Sequence, residues 1–211
     1  MPAATRDRII DAGATLLQRQ GFTGTGVKQI VAEAGAPFAS LYHFFPGGKE
    51  ELGAEIVRVS GGRYGDLIPL FYDGTGDPVE ATRAFFLAAA ETVRESGYAD
   101  ACPIATVALE VSSTSEPMRV ACAEVFESWL GTLTSHIGDR TTALALFSLL
   151  EGAFIHCRAT RSIEALEATA EVAAELVRSA TSPRARRRDD GTPARRSPGS
   201  SRGSTGSRRR R

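Results

Sequence analysis

The chain has 211 residues, 42% of them hydrophobic, enough for one or two compact domains with real cores. Its net charge of zero hides an asymmetry: residues 181–211 carry eleven Arg and two Asp, which leaves residues 1–180 negative by nine charges. An acidic body excludes a general nucleic-acid coat; no run of about 18 apolar residues is present to span a bilayer, and no basic-then-apolar leader opens the chain, so a soluble cytoplasmic protein with no membrane partner is expected.

Residues 1–180 read as helical, with Gly and Pro at punctuating positions and no clear period-two run, which predicts an all-α protein. The first helix is expected over about 4–20, with Ile9, Ile10, Gly13, Leu16 and Leu17 on one face and Gly21 as its stop. Thr25 suits an N-cap for a short helix over about 26–34. A third short helix follows Pro37 and reaches about Phe44, and a longer one starts near Lys49 and runs to Gly61 or beyond. Pro69 to Pro78 reads as a break. Later helices are expected over about 78–96, 101–112, 116–136, 140–159 and 161–180. From Thr181 on, Arg, Ser, Gly, Pro and Thr dominate, and a disordered tail is predicted.

The segment Val27 to Phe44 has the grammar of a helix-turn-helix. Gly35 supplies the positive φ of the turn, and Pro37 fixes φ where the next helix begins. Ile30, Val31, Ala34, Leu41 and Phe44 or Phe45 can face inward against Ile10, Leu16 and Leu17. Helix–Gly–helix alone is equally the mark of an ordinary helical hairpin. Two features go further: both helices are too short to stand without the helix that precedes them, and Tyr42, His43 and Lys49 gather at the outer edge, where phosphates would lie.

Residues 5–52 resemble the DNA-binding domain of the TetR family. The matching stretches are Ile9 to Ala12 with Leu16-Leu17, Gly21 to Thr25, Ile30 to Gly35, Ser40 to His43, Phe45, and Lys49 to Leu52. The Phe45 to Glu50 step is one residue longer than the family's usual one, as in the LmrA/YxaF-like subgroup. Cys102 to Ala105, Val107 to Glu110, Phe126 to Trp129 and Leu150 to Ala153 are similar to that subgroup's regulatory domain. The resemblance implies a three-helix helix-turn-helix domain (1–48), an α-helical ligand-binding and dimerisation domain (49–180) and, after it, the Arg-rich tail (181–211). It implies double-stranded operator DNA, a homodimeric partner and a small-molecule effector, and repression released by that effector.

Carried over residue by residue, Thr25 and Lys28 are expected at phosphates, as are Tyr42, His43 and Lys49; Lys49 gains from the dipole of its helix. Base reading falls to Phe38, Ala39 and Ser40. The chain departs from the subgroup here: Phe38-Ala39 stands where a basic residue and Gly are frequent, so the third helix lacks Lys and Arg and the Arg–guanine contact. Phe44 replaces a polar aromatic or His.

In the second half, Phe71, Tyr72, Phe85, Phe86, Cys102, Phe126, Trp129 and Phe154 suit a pocket for an apolar, planar aromatic effector, although each alone reads as core. The stripes of the last two helices, with Leu146, Leu150, Phe154, Leu166, Ala173 and Leu176, read either as packing on the chain's own core or, by the resemblance, as the dimer interface. Cys102, Cys122 and Cys157 lack CxxC spacing and read as small buried residues, with neither a disulfide framework nor a metal site; no cofactor is expected. A Cys102 nucleophile with His136 or His156 lacks an elbow, metal motif or phosphate loop, so no enzyme is expected. The Arg-rich tail leaves a second reading open, non-specific binding of polyanions.

Overall fold

The computed structural model describes residues 2–100 and 102–182, with side chains from residue 5 onward. The helices in chain order are α1 (Pro2–Gln20), α2 (Val27–Glu33), α3 (Phe38–Phe44), α4 (Gly48–Gly65), α5 (Leu67–Thr75), α6 (Pro78–Glu95), α7 (Pro103–Val111), α8 (Glu116–Ile137), α9 (Arg140–Thr160) and α10 (Glu164–Thr181). Among the described residues there is no strand, and the fold is all-α. Several start and stop signals act where sequence places them. Gly21, at φ +72°, ends α1 and Gly35, at φ +57°, turns α2 into α3. Asp77 and Asp139 cap α6 and α9 through the N–H groups of Val79 (2.9 Å) and Thr142 (2.8 Å).

Three local expectations are corrected. Residues 69–78 are not a continuous break, because α5 covers Leu67–Thr75. Pro69 is its third residue, within the first turn, where an N–H has no intrahelical acceptor to lose. Thr25 is not the N-cap of α2; Gly26 occupies that position without a side-chain cap. The Thr25 hydroxyl turns inward and donates to the Gly21 carbonyl at 2.6 Å. The predicted tail also begins slightly late, since α10 includes Thr181; the disorder expected of the remainder lies outside the described residues.

α1, α2 and α3 share a core of Ile9, Ile10, Leu17, Ile30, Val31, Leu41 and Phe45. Phe45 takes the inward place and Phe44 stays half-buried. α4 leaves this unit and joins the second layer, packing on α1 and along α8. Arg6 and Arg63 tie α1 to α4 through Glu55 and Asp11, each at 2.5 Å. In the second layer α6 packs along α10, α9 lies against α8 and α10, and α7 bridges α1, α4 and α8.

The α4–α8 contact is close because α4 presents glycines. A Cβ on Gly53 would lie 2.8 Å from the Met118 sulfur, on Gly61 2.4 Å from Val125, and on Gly65 2.8 Å from the Trp129 ring. Gly62 meets nothing within 4 Å. Gly61→Ala is therefore expected to destabilise by about 1–3 kcal/mol through overpacking. Gly62→Ala should stabilise by about 0.5–1 kcal/mol through helix propensity. Chemical unfolding of the two neighbours separates the effects.

The apolar stripes of α9 and α10 are largely consumed by the protomer itself. Leu146, Leu150, Leu166 and Ala173 are at most 7% exposed, so of the two expectations for these stripes the packing on the chain's own core accounts for them. Periodicity reveals an apolar face, and α6 and α8 cover this one. Leu176 remains partly exposed and Phe154 half-buried. By length and composition α9 is apolar enough to cross a bilayer. Its apolar excess lies on the outward side, where Leu144 and Ile155 are 55% and 57% exposed.

Candidate nucleic-acid interface and ligand cavity

The outer face of α3 presents Phe38, Ala39, Tyr42 and His43, all exposed, with Ser40 half-buried beside them. Leu41 is fully buried beneath and anchors the helix. Phe38 and Tyr42, one turn apart, meet edge to face at 5.7 Å between centroids. Lys28 is exposed on α2. The longer Phe45 to Lys49 step is absorbed by Gly48 at φ +72°, and the ring of Tyr42 lies against this glycine. Of the residues assigned to DNA, Thr25 alone is withdrawn: it is fully buried and its hydroxyl is committed to Gly21. Its polar character serves the α1–α2 loop, together with Gln20, whose amide reaches both Thr25 and Gln29.

Lys49 sits in the first turn of α4 with its ammonium 4.4 Å from the centroid of the Phe22 ring. Burial holds its pKa below the usual lysine value, and the charge of Glu110 opposes that shift. Glu110 itself comes from α7, in the second layer. Its two oxygens accept from the backbone N–H groups of Phe22 (2.6 Å) and Thr23 (2.7 Å). Burial raises its pKa, but the hydrogen bonds from Thr23 and Phe22 and the Lys49 charge outweigh that and hold it below the ordinary glutamate value. One carboxylate thus ties the second layer to the α1–α2 loop and to the N-terminus of α4.

A cavity of about 260 Å³ lies between α4, α5, α6, α8 and α9. Phe71, Phe85, Cys102, Trp129 and Phe154 from the sequence reading line it. Phe126 instead lines an open groove on the far side of Cys102, Glu151 and Phe154. Phe86 (2% exposed) and Tyr72 (6% exposed) are core residues outside the cavity lining. The Tyr72 hydroxyl pairs with Thr82 at 2.8 Å, and burial pushes its pKa up to about 12. Trp129 stacks on Phe147 at 5.8 Å and donates its Nε1–H to the Gly61 carbonyl at 2.7 Å. The cavity wall is thereby bonded to α4.

Sequence reasoning missed the polar residues of this cavity. Tyr64, at the end of α4, and Asp100 line it, and so does Glu151 of α9. Glu151 is half-buried beside Cys102, and burial of its carboxyl pushes its pKa up to about 7 against a lowering hydrogen bond from Cys102. The available signal was Glu151's register on α9, one turn from both Phe147 and Phe154. Cys102, Cys122 and Cys157 are all buried as free thiols. Burial, the Glu151 charge and the Glu151 hydrogen bond raise the Cys102 pKa far above its ordinary value. Among the described residues no group of His, Cys, Asp and Glu could hold a metal ion.

Comparisons with known proteins place this architecture. Residues 9–56 match the family of bacterial regulatory proteins of the tetR type, and residues 78–172 match the C-terminal domain of LmrA/YxaF-like transcriptional regulators. The chain is 42% identical over 125 residues to the HTH-type transcriptional regulator YxaF of Bacillus subtilis, covering 59% of this chain and 65% of that protein. It is 37% identical over 125 residues to LmrA of the same organism, covering 59% and 66%. The matched region thus spans just under two thirds of each relative. The reduced form of Escherichia coli NemR shares the fold, with a TM-score of 0.73 at 24% identity over 83% of this chain and 95% of that one. Both halves match one family, whose members are transcriptional regulators and not enzymes: the chain belongs to the TetR family, in its LmrA/YxaF-like branch.

Proposed function

We propose that this protein is a cytoplasmic, homodimeric regulator that binds double-stranded operator DNA through α3 and represses until a small apolar or aromatic effector occupies the 260 Å³ cavity. The observation that carries this reading is α4: Lys49 in its first turn borders the DNA-facing side, and Tyr64 near its last residue lines the cavity. A ligand that moves Tyr64, or Trp129 with its bond to Gly61, acts on the same helix that carries Lys49. In a dimer this changes the separation of two α3 helices, which must be about 34–36 Å to meet successive major grooves. Effector and DNA then oppose each other by linkage. The exposed Leu144 and Ile155 of α9 with Val172 and Leu176 of α10 supply the apolar surface for the second subunit.

In this reading Tyr42, His43, Lys28 and Lys49 hold phosphates, and Phe38 and Ala39 touch bases, with thymine methyls as partners for the Phe38 ring. Selection of bound DNA from a random pool tests it. Tyr42→Ala should weaken every selected sequence by about tenfold without changing the preferred one, as loss of a phosphate contact requires. Phe38→Ala should relax the preference itself. Recovery of no preferred sequence from the pool would remove the reading.

Glu110 gives a separate check on how the layers communicate. Glu110→Gln keeps one acceptor oxygen for the Phe22 and Thr23 amides, gives up the other, and removes a negative charge beside Lys49. DNA affinity should rise by about two- to tenfold at low salt, with the gain fading as salt screens it. A fall in affinity measured by fluorescence anisotropy would mean that the charge is needed to position the loop.

A further inference from the structure

Glu151 is the one acidic side chain of the cavity that the described structure leaves without a cation. Its Oε1 is buried and has no hydrogen-bond partner, and the hydrogen bond the carboxyl does make is with the Cys102 thiol, a weak donor. No ion pair reaches it among the described residues, and the cavity lining contains neither Lys nor Arg. Asp100, the other carboxylate of the lining, also has a buried Oδ1 without a hydrogen-bond partner, but that oxygen has a cation nearby, the Arg19 guanidinium at 3.8 Å. The wall around Glu151 is aromatic, with Phe147 stacked on Trp129 and Phe71 edge to face with Phe85 at 5.4 Å. An acceptor in such surroundings either keeps its proton or takes a donor from a ligand. Ring faces reinforce one kind of donor, because their quadrupole attracts cations. The volume of about 260 Å³ admits one or two fused rings with a short substituent. A ligand carboxylate or phosphate would meet like charge instead.

We propose that the cavity takes an aromatic molecule of one or two rings bearing a protonated nitrogen, whose N–H is donated to Glu151 while its ring lies among Trp129, Phe147 and Phe154. This inference rests on the reading of the cavity as the effector site and narrows it from an apolar aromatic ligand to a lipophilic aromatic cation. Glu151 is the selecting group. Glu151 also borders the adjoining groove that holds Arg158 and Arg161, but neither arginine lines the cavity or forms an ion pair with Glu151 among the described residues.

Three probes that share a ring but differ in charge test the proposal: 1-naphthylmethylamine, 1-naphthalenemethanol and 1-naphthoate. Their binding to the full chain is measured by calorimetry at pH 8. The amine should bind at least tenfold more tightly than the alcohol, and the naphthoate most weakly. Glu151→Gln should bring the amine to within twofold of the alcohol and leave the alcohol unchanged. Asp100→Asn should keep the amine preference. Equal binding of amine and alcohol by the wild-type chain, or a preference that survives Glu151→Gln, overturns the proposal and leaves the cavity a binding site. A preference abolished by Asp100→Asn alone, with Glu151→Gln unaffected, overturns it by moving the cation to Asp100. Binding of none of the three overturns both the proposal and the effector-site reading.

Discussion

Trp129→Ala is expected to destabilise the protein by about 3–5 kcal/mol, the range for truncating a large buried aromatic side chain. The residue is 6% exposed and is held three ways. Its face lies on Phe147, its edge meets Phe126 at 5.9 Å, and its Nε1–H bonds the Gly61 carbonyl across the α4–α8 contact. The loss therefore combines removed apolar area, a void continuous with the existing cavity and a missing interhelical hydrogen bond. Trp129→Phe separates these contributions, since it keeps a ring and drops the donor; about 1 kcal/mol of the loss should then belong to the hydrogen bond. Unfolding followed by circular dichroism measures both variants. A cost below about 1 kcal/mol for the alanine variant would mean that the α4–α8 contact is not as packed as described. Because Trp129 is the single tryptophan of the chain, its emission in the wild type also reports directly on the cavity wall.

The second large effect is a dependence of stability on pH that runs opposite to acid denaturation. Glu151 titrates at about 7 in the folded protein, against an ordinary 4.5, because burial penalises its charged form. Between these values the folded chain holds a proton that the unfolded chain has released. Stability contributed by this group is therefore full below about pH 4.5 and is lost progressively as pH rises to about 7, where the loss levels off. The shift corresponds to about 3 kcal/mol. Glu151→Gln removes the titration, so its advantage over the wild type should grow across that window and reach roughly 3 kcal/mol above pH 7. Parallel urea titrations at pH 5, 6, 7 and 8 read the difference. Parallel stability curves for the two proteins at all four values would exclude a buried carboxyl at this position.

The two halves of the molecule differed in how much their residues disclosed. α1 to α3 were legible because their signals are local: Gly21 and Gly35 need positive φ, Pro37 after the glycine turn suits a helix start, and the apolar spacing of Ile9, Ile30 and Leu41 has a single consistent inside. Thr25 was misread for an equally local reason, since a hydroxyl before a helix can cap forward or bond backward, and here it bonds backward to Gly21. In the second half the questions are tertiary. Leu146 and Leu166 announce an apolar face but not which helix covers it. Glu110 and Glu151 stand in helical segments where a charge ordinarily means solvent. Only the packing of α7 against the first layer, and of α9 across the cavity, gives these two carboxylates their partners and surroundings. Pro69 hid α5 because a proline inside an apolar run is equally a break or a first-turn residue.

The glycine content of α4 has a consequence for where the structure opens first. Five of its eighteen residues are glycine, each weaker in a helix than alanine by about 1 kcal/mol. The helix therefore draws its order from Met118, Val125 and Trp129 of α8 more than from its own backbone. Amide hydrogens along α4 should exchange with solvent through the opening of its seam with α8, rather than together with the α1–α3 core. The segment that joins the DNA-facing helices to the cavity is also the one whose folding is borrowed from its neighbour.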